Sequence, residues 1–194
     1  AGFSPENGEK HPFVLEVSAE KDTNAHKTLE LRAFFRGFPD EKPEKYYQYL
    51  RGEIDRETLF DCYPEERARA REQTMGGPLE LGSPDDDKRL FEKLEELKSQ
   101  RKKNPWVLIG GPPCQAYSIA GRARNQSAKN YKPEDDERHF LYREYLEVLH
   151  YMKPAVFVME NVKGLLSSRV KGEGIFNRIL EDLKGTMEST GDKG

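Results

Sequence analysis

The chain has 194 residues, 35% of them charged, with a mean hydropathy of -0.91 and a formal net charge of -3. That length suffices for one domain with a sizeable core, and no apolar run approaches the ~20 residues of a helical membrane span. The charge balance lacks the basic excess of a compact nucleic-acid-binding module, so any such contact must come from a local patch.

Two cysteines, Cys62 and Cys114, stand far apart and offer neither a disulfide framework nor a metal set. A reduced, intracellular protein is the simpler expectation. The first ten residues, AGFSPENGEK, lack the segments of a signal peptide.

In chain order, PFVLEVSA at 12–19 reads as a strand. Residues 22–36 read as a helix capped by Asp22 or Thr23. The charged stretch 40–75 reads as helical in pieces, such as EKYYQYL and PEERARAREQ, and as an insertion; GGP at 76–78 breaks it. Residues 85–99 form an amphipathic helix with Leu90, Phe91, Leu94 and Leu97 on one face.

WVLIG at 106–110 is a short continuous apolar run, the pattern of a strand buried on both faces. The polar stretch 115–136 lacks periodicity and reads as a long loop, a length usually kept for function. A helix over 138–152 follows, with Leu141, Tyr145, Val148, Leu149 and Met152 on one face. A second buried strand, AVFVME, spans 155–160. The spacing of Ile175, Phe176, Ile179, Leu180 and Leu183 predicts a helix over 173–184. Strands alternating with amphipathic helices indicate an α/β fold with a mostly parallel sheet flanked by helices. In such sheets ligands bind beyond the carboxyl ends of the strands. Two polar segments, PPCQ and EN, follow the two apolar strands directly and should face one crevice.

Cys114 sits behind Pro112 and Pro113, whose fixed φ angles stiffen the loop that presents the thiol. A stiff loop holds a nucleophile in place, although isolated cysteines are more often buried and inert. Glu160 ends the second strand and Asn161 follows. A carboxylate there must be solvated, paired or used. His139 and His150 are the only histidines near these segments, and a solvated position suits His150 in its helix. No metal site is indicated.

GGPPCQAYS at 110–118 resembles the proline–cysteine–glutamine motif of DNA cytosine-5 methyltransferases. FVMENVKGLLS at 157–167 resembles that family's glutamate–asparagine–valine motif, and DERHFLYREYL at 136–146 the arginine-bearing motif between them. Order and spacing agree, and the form is close to the bacterial members. The resemblance implies a Rossmann-like class I methyltransferase fold and S-adenosyl-L-methionine as cofactor. It implies double-stranded DNA with a flipped cytosine as substrate, a cytoplasmic setting in bacteria and a possible restriction endonuclease partner.

The resemblance also supplies roles. Cys114 would attack carbon 6 of the cytosine. Glu160 would bind ring nitrogen 3, and Asn161 would position loop and base. Gln115, Ser118, Arg122 and Arg124 would contact nucleic acid, with Lys129 and Lys132 adding positive charge for phosphates. On the cofactor side, LEVSAEKD at 15–22 is similar to the second family motif, with Glu20 on the ribose hydroxyls and Lys21 near the adenine. LELGSPDDD at 79–87 is similar to the third, through Glu80 and Leu81. Pro112 and Leu141 would line the cofactor pocket, and Gly2 and Phe3 look like the tail of the glycine-rich first motif.

The strand before that motif, the family's later motifs and its target-recognition region find no match in the sequence. The expectation is therefore a partial catalytic domain over 1–194 with a helical insertion at about 40–75, weakly active or inactive by itself. Two other readings stand beside it: a cytosine-5 methyltransferase acting on transfer RNA, and an inactive methyltransferase-like binding module.

Overall fold

The computed structural model describes residues 13–39, 41–100, 105–111, 142–160, 169–170, 173–174, 177, 180–181 and 183–185. The chain divides into two compact units, residues 1–93 and 94–194.

The first unit is helical: α1 (Thr23–Arg36), α2 (Glu44–Leu50), α3 (Arg56–Asp61), α4 (Pro64–Gln73) and the opening of α5 (Pro84–Gln100). Asp22 caps α1, its carboxylate accepting from the amides of Asn24 (2.9 Å) and Ala25 (2.8 Å). This satisfies two of the amides a helix start leaves without partners. Asp55 caps α3 in the same way through Thr58, and Pro64 opens α4.

The stretch 40–75 is indeed helical in pieces, and α2 and α4 coincide with EKYYQYL and PEERARAREQ. It is also a core in its own right. Phe34 and Ala33 of α1 pack with Leu59, Phe60 and Ala70, ringed by Phe38, Tyr46, Tyr49, Ile54 and Tyr63. The rings of Phe34 and Phe60 lie 4.9 Å apart, in the range of favourable aromatic pairing. Arg56 ties α3 to α1 by donating to Lys27 O and Glu30 Oε2 (2.7 Å) while its guanidinium lies over Phe60. At the end of α4, Met75 and Gly76 both take positive φ, the break expected at GGP.

Residues 12–19 do not form the expected strand. Phe13, Val14 and Leu15 are exposed, and the segment bonds to the end of α4, Ser18 N to Gln73 O (2.8 Å) and Gln73 Nε2 to Leu15 O. An alternating sequence becomes a strand only where a neighbouring strand takes up its backbone groups. The described residues provide none beside it.

The second unit holds the end of α5, β1 (Val107–Gly110), α6 (Tyr142–Met152), β2 (Val156–Met159) and a two-residue hairpin, β3 (Arg169–Val170) with β4 (Glu173–Gly174). Leu94 and Leu97 of α5 and Tyr145, Val148, Leu149 and Met152 of α6 are buried, as is Leu183. Tyr151 donates to Glu95 and lies under Lys98, joining α6 to α5. Lys153, at φ 46°, turns the chain out of α6 just before Pro154.

β1 and β2 pair in parallel, the α/β arrangement expected, but they are not buried on both faces. Val107, Ile109, Val156 and Val158 share one face and are exposed, Ile109 by 73%. Leu108 and Phe157 lie on the half-buried face. Apolarity on both faces of a strand records what the strand is built to meet, and among the described residues nothing covers the second face. The helix expected over 173–184 begins later, because Glu173 and Gly174 belong to the hairpin. Asn177, Leu180, Glu181 and residues 183–185 are helical, and Leu180 is exposed rather than buried.

Candidate active site at the strand ends

Register fixes the candidate site of the second unit. Val107 lies opposite Val156 and Gly110 opposite Met159, so both strands run out at the same edge. The backbone pairing continues one step further, with Glu160 N donating to Gly110 O (2.8 Å); at the other end Ala155 N donates to Trp106 O (3.0 Å). The carboxyl end of β1, at Gly110 and Gly111, therefore lies beside the point where β2 delivers Glu160.

The two glycines at this edge are explained by their neighbours. A Cβ on Gly111 would stand 3.1 Å from Glu160 Oε2, so a hydrogen at this position is what lets the carboxylate lie against the β1 exit. A Cβ on Gly110 would stand 2.5 Å from Cε2 and 2.8 Å from Cδ2 of Tyr145, inside the ring's own volume. Glu160 is exposed and so keeps its solvation at the strand end.

A separate group of candidate residues lies in the first unit. Leu79 N donates to Glu20 O (2.9 Å), which sets LEVSAEKD beside LELGSPDDD. Lys21 Nζ pairs with Glu80 Oε1, both side chains exposed, and Glu20 Oε1 accepts from Asp22 N (2.8 Å). Glu20, Lys21 and Glu80 thus form one group, with half-buried Leu81 next in sequence.

Two residues not singled out in the sequence hold that loop. Asp86 accepts from Glu80 N (3.0 Å) and Asp87 from Gly82 N (3.0 Å), so the first turn of α5 braces the segment carrying Glu80. Their signal was the acidic run after Ser83-Pro84, which reads only as a helix start.

Cys114, Asn161, Pro112, Leu141, Gly2, Phe3, Gln115, Ser118, Arg122 and Arg124 lie outside the described residues, as do Lys129 and Lys132. Among the described residues no group of histidine, cysteine and carboxylates could hold a metal ion, and no helix is long and apolar enough to cross a membrane.

Comparison with known proteins is consistent with this geometry. A family model described as C-5 cytosine-specific DNA methylase matches residues 83–187, more than half of the chain. Type II methyltransferase M.Bpa9945I of Bacillus paralicheniformis is 28% identical over 206 aligned positions, covering 98% of this chain and 44% of that protein. Type II methyltransferase M.BspRI of Lysinibacillus sphaericus is 38% identical over 90 residues, 46% of this chain and 18% of its own. M.FnuDI of Fusobacterium nucleatum, another type II methyltransferase, is 38% identical over 76 residues, 39% of this chain and 20% of its own. The chain spans less than half the length of these relatives. No solved structure matches.

Proposed function

The chain belongs to the family of C-5 cytosine-specific DNA methylases, and from that premise we propose that it carries the catalytic centre of an S-adenosylmethionine-dependent DNA cytosine-5 methyltransferase. The observation that carries this reading is the parallel register of β1 and β2, which brings Gly111, the residue before Pro112-Pro113-Cys114 in sequence, beside Glu160. On this reading the fold is Rossmann-like class I, residues 1–194 are one part of its catalytic domain, and about 40–75 are a helical insertion in it.

Cys114 is the nucleophile. Its thiolate forms a bond to carbon 6 of a cytosine flipped out of the duplex. Glu160 hydrogen-bonds at ring nitrogen 3, stabilising its protonated form and drawing off the charge that would otherwise build on the ring. Carbon 5 then has the electron pair to take up a methyl group. Removal of the carbon-5 proton sends a pair back to form the 5,6 double bond and expels the Cys114 thiolate, so the enzyme is regenerated. Asn161 steadies the loop and the base. Gln115, Ser118, Arg122 and Arg124 meet the nucleic acid, where local positive charge offsets the chain's acidic balance.

The Glu20–Lys21–Glu80 group suits the nucleoside of S-adenosylmethionine. Glu80 pairs with Lys21 and Glu20 accepts from Asp22 N, both carboxylates within reach of solvent, and ribose hydroxyls and an adenine amino group need such acceptors. When bound, that cofactor supplies an electrophilic methyl group. The family resemblance assigns Pro112, Leu141, Leu81, Gly2 and Phe3 to the same cofactor. The relatives are named type II methyltransferases, which supports a place in a restriction-modification system; a setting in the bacterial cytoplasm beside a restriction endonuclease belongs to the same proposal.

The test is methyl transfer from labelled S-adenosylmethionine to duplex DNA, with transfer RNA offered in parallel. Transfer to DNA that falls about 10²–10⁴-fold in Glu160→Gln, the usual size of a positioned acid–base group, is the expected result. Preference for transfer RNA would overturn the substrate, and no transfer to either would overturn the enzyme reading.

A further inference from the structure

We propose that Tyr145 is a positioning residue for this reaction: one buried side chain spans both strands and sets the distance between the carboxyl end of β1 at Gly110 and the end of β2 that bears Glu160. The assignment rests on the function proposed above. Tyr145 is 5% exposed. Its ring occupies the space a Cβ on Gly110 would need, touching β1 at its last residue. Its hydroxyl donates to Val158 O on β2 (3.2 Å).

Gly110 is four residues before Cys114, and Val158 is two before Glu160. Each strand is only four residues long. So short a ladder constrains its ends weakly, and a rigid ring wedged on one strand and bonded to the other adds a third point of support. Gly110 and Gly111 then divide the work. The first admits the ring that fixes the spacing, and the second admits the carboxylate that uses it.

A merely packed aromatic would be matched by any side chain of its volume. A positioning role makes different demands. Removing only the hydroxyl should affect the chemical step, because displacing reacting groups by about 1 Å can cost about 10²-fold in rate.

The experiment measures kcat, and KM for S-adenosylmethionine and for duplex DNA, in the full-length polypeptide, with folded fraction followed by circular dichroism. Tyr145→Phe keeps the ring and loses the bond. It should lower kcat about three- to tenfold, as loss of one hydrogen bond does, with both KM values within about twofold of wild type. Gly110→Ala should lower kcat about 10²-fold. Adding Tyr145→Leu to Gly110→Ala should recover about tenfold of that loss by clearing the ring from the new methyl group.

Wild-type kcat in Tyr145→Phe, or losses that merely follow the folded fraction, would overturn the assignment while leaving the methyltransferase reading intact. A wild-type protein with no transfer at all would overturn that reading, and this one with it. Tyr145→Phe decides the matter whatever Gly110→Ala does to folding.

Discussion

Tyr145 shows how much a single residue carries beyond its place in a pattern. In the sequence it is one apolar position of a helical face, and the structure buries it there. What the pattern cannot show is that its ring needs Gly110 and its hydroxyl finds Val158, because periodicity records polarity and not shape. Burial also pushes the Tyr145 hydroxyl up from its ordinary value near 10 to about 12. The unfolded chain loses this proton first, so between about pH 10 and about 12 the folded state binds more protons and stability falls as pH rises. Below about pH 10 the group is neutral in both states and contributes no such slope. Urea melts across this range should show an alkaline decline in wild type that is shallower in Tyr145→Phe; equal slopes would place the decline elsewhere. Glu80 makes a second prediction at this scale. Its pair with Lys21 is exposed, so Glu80→Ala should change stability by no more than about 1 kcal/mol. On the proposed function it should raise KM for S-adenosylmethionine several-fold, which initial-rate kinetics with excess DNA would read. The sequence resemblance supplied Glu20 and Lys21 from one segment and Glu80 from another, and the structure sets the two segments side by side. The supports Asp86 and Asp87 escaped it, because an acidic first turn reads the same whether it caps a helix or braces a loop.

Among the elements, those whose signals are local were legible and those that depend on a distant partner were not. The Asp22 cap, α2, α4 and the strands after Trp106 and Ala155 follow from residues adjacent to them. The strand expected over 12–19 failed because its formation depends on a neighbour, and its backbone bonds go instead to Gln73. The helical stretch 40–75 was read as charged pieces because its apolar residues are aromatics scattered over short helices. Only when α1 lies against α3 and α4 do Phe34, Leu59, Phe60 and Ala70 meet. That cluster has an energetic consequence. Phe34 is fully buried, and Phe34→Ala should destabilise the protein by about 3–5 kcal/mol, lost burial plus the cavity left behind. Chemical denaturation should show it as a lower midpoint. A change under about 1 kcal/mol would mean that the cluster contributes little to holding the helices together.

At the scale of the whole molecule, the parallel pairing of β1 with β2 is what joins the sequence motifs to a function. The apolar face formed by Val107, Ile109, Val156 and Val158 explains why both strands read as buried on two sides although the described residues cover one. The sequence motifs that follow the two strands were legible because each is written in adjacent residues, Pro112, Pro113 and Cys114 in one and Glu160 and Asn161 in the other. The wedge that spaces the strands was not, since it arrives from α6, more than thirty residues along the chain. The central claim, that Cys114 forms a covalent bond to cytosine, is tested most directly by trapping. Duplex DNA carrying 5-fluorocytosine blocks the final proton loss, so incubation with S-adenosylmethionine and the full-length polypeptide should leave a protein–DNA adduct stable to denaturing electrophoresis. The adduct should vanish in Cys114→Ala. Methyl transfer to ordinary DNA without any trapped adduct, or an adduct that persists in Cys114→Ala, would contradict the account.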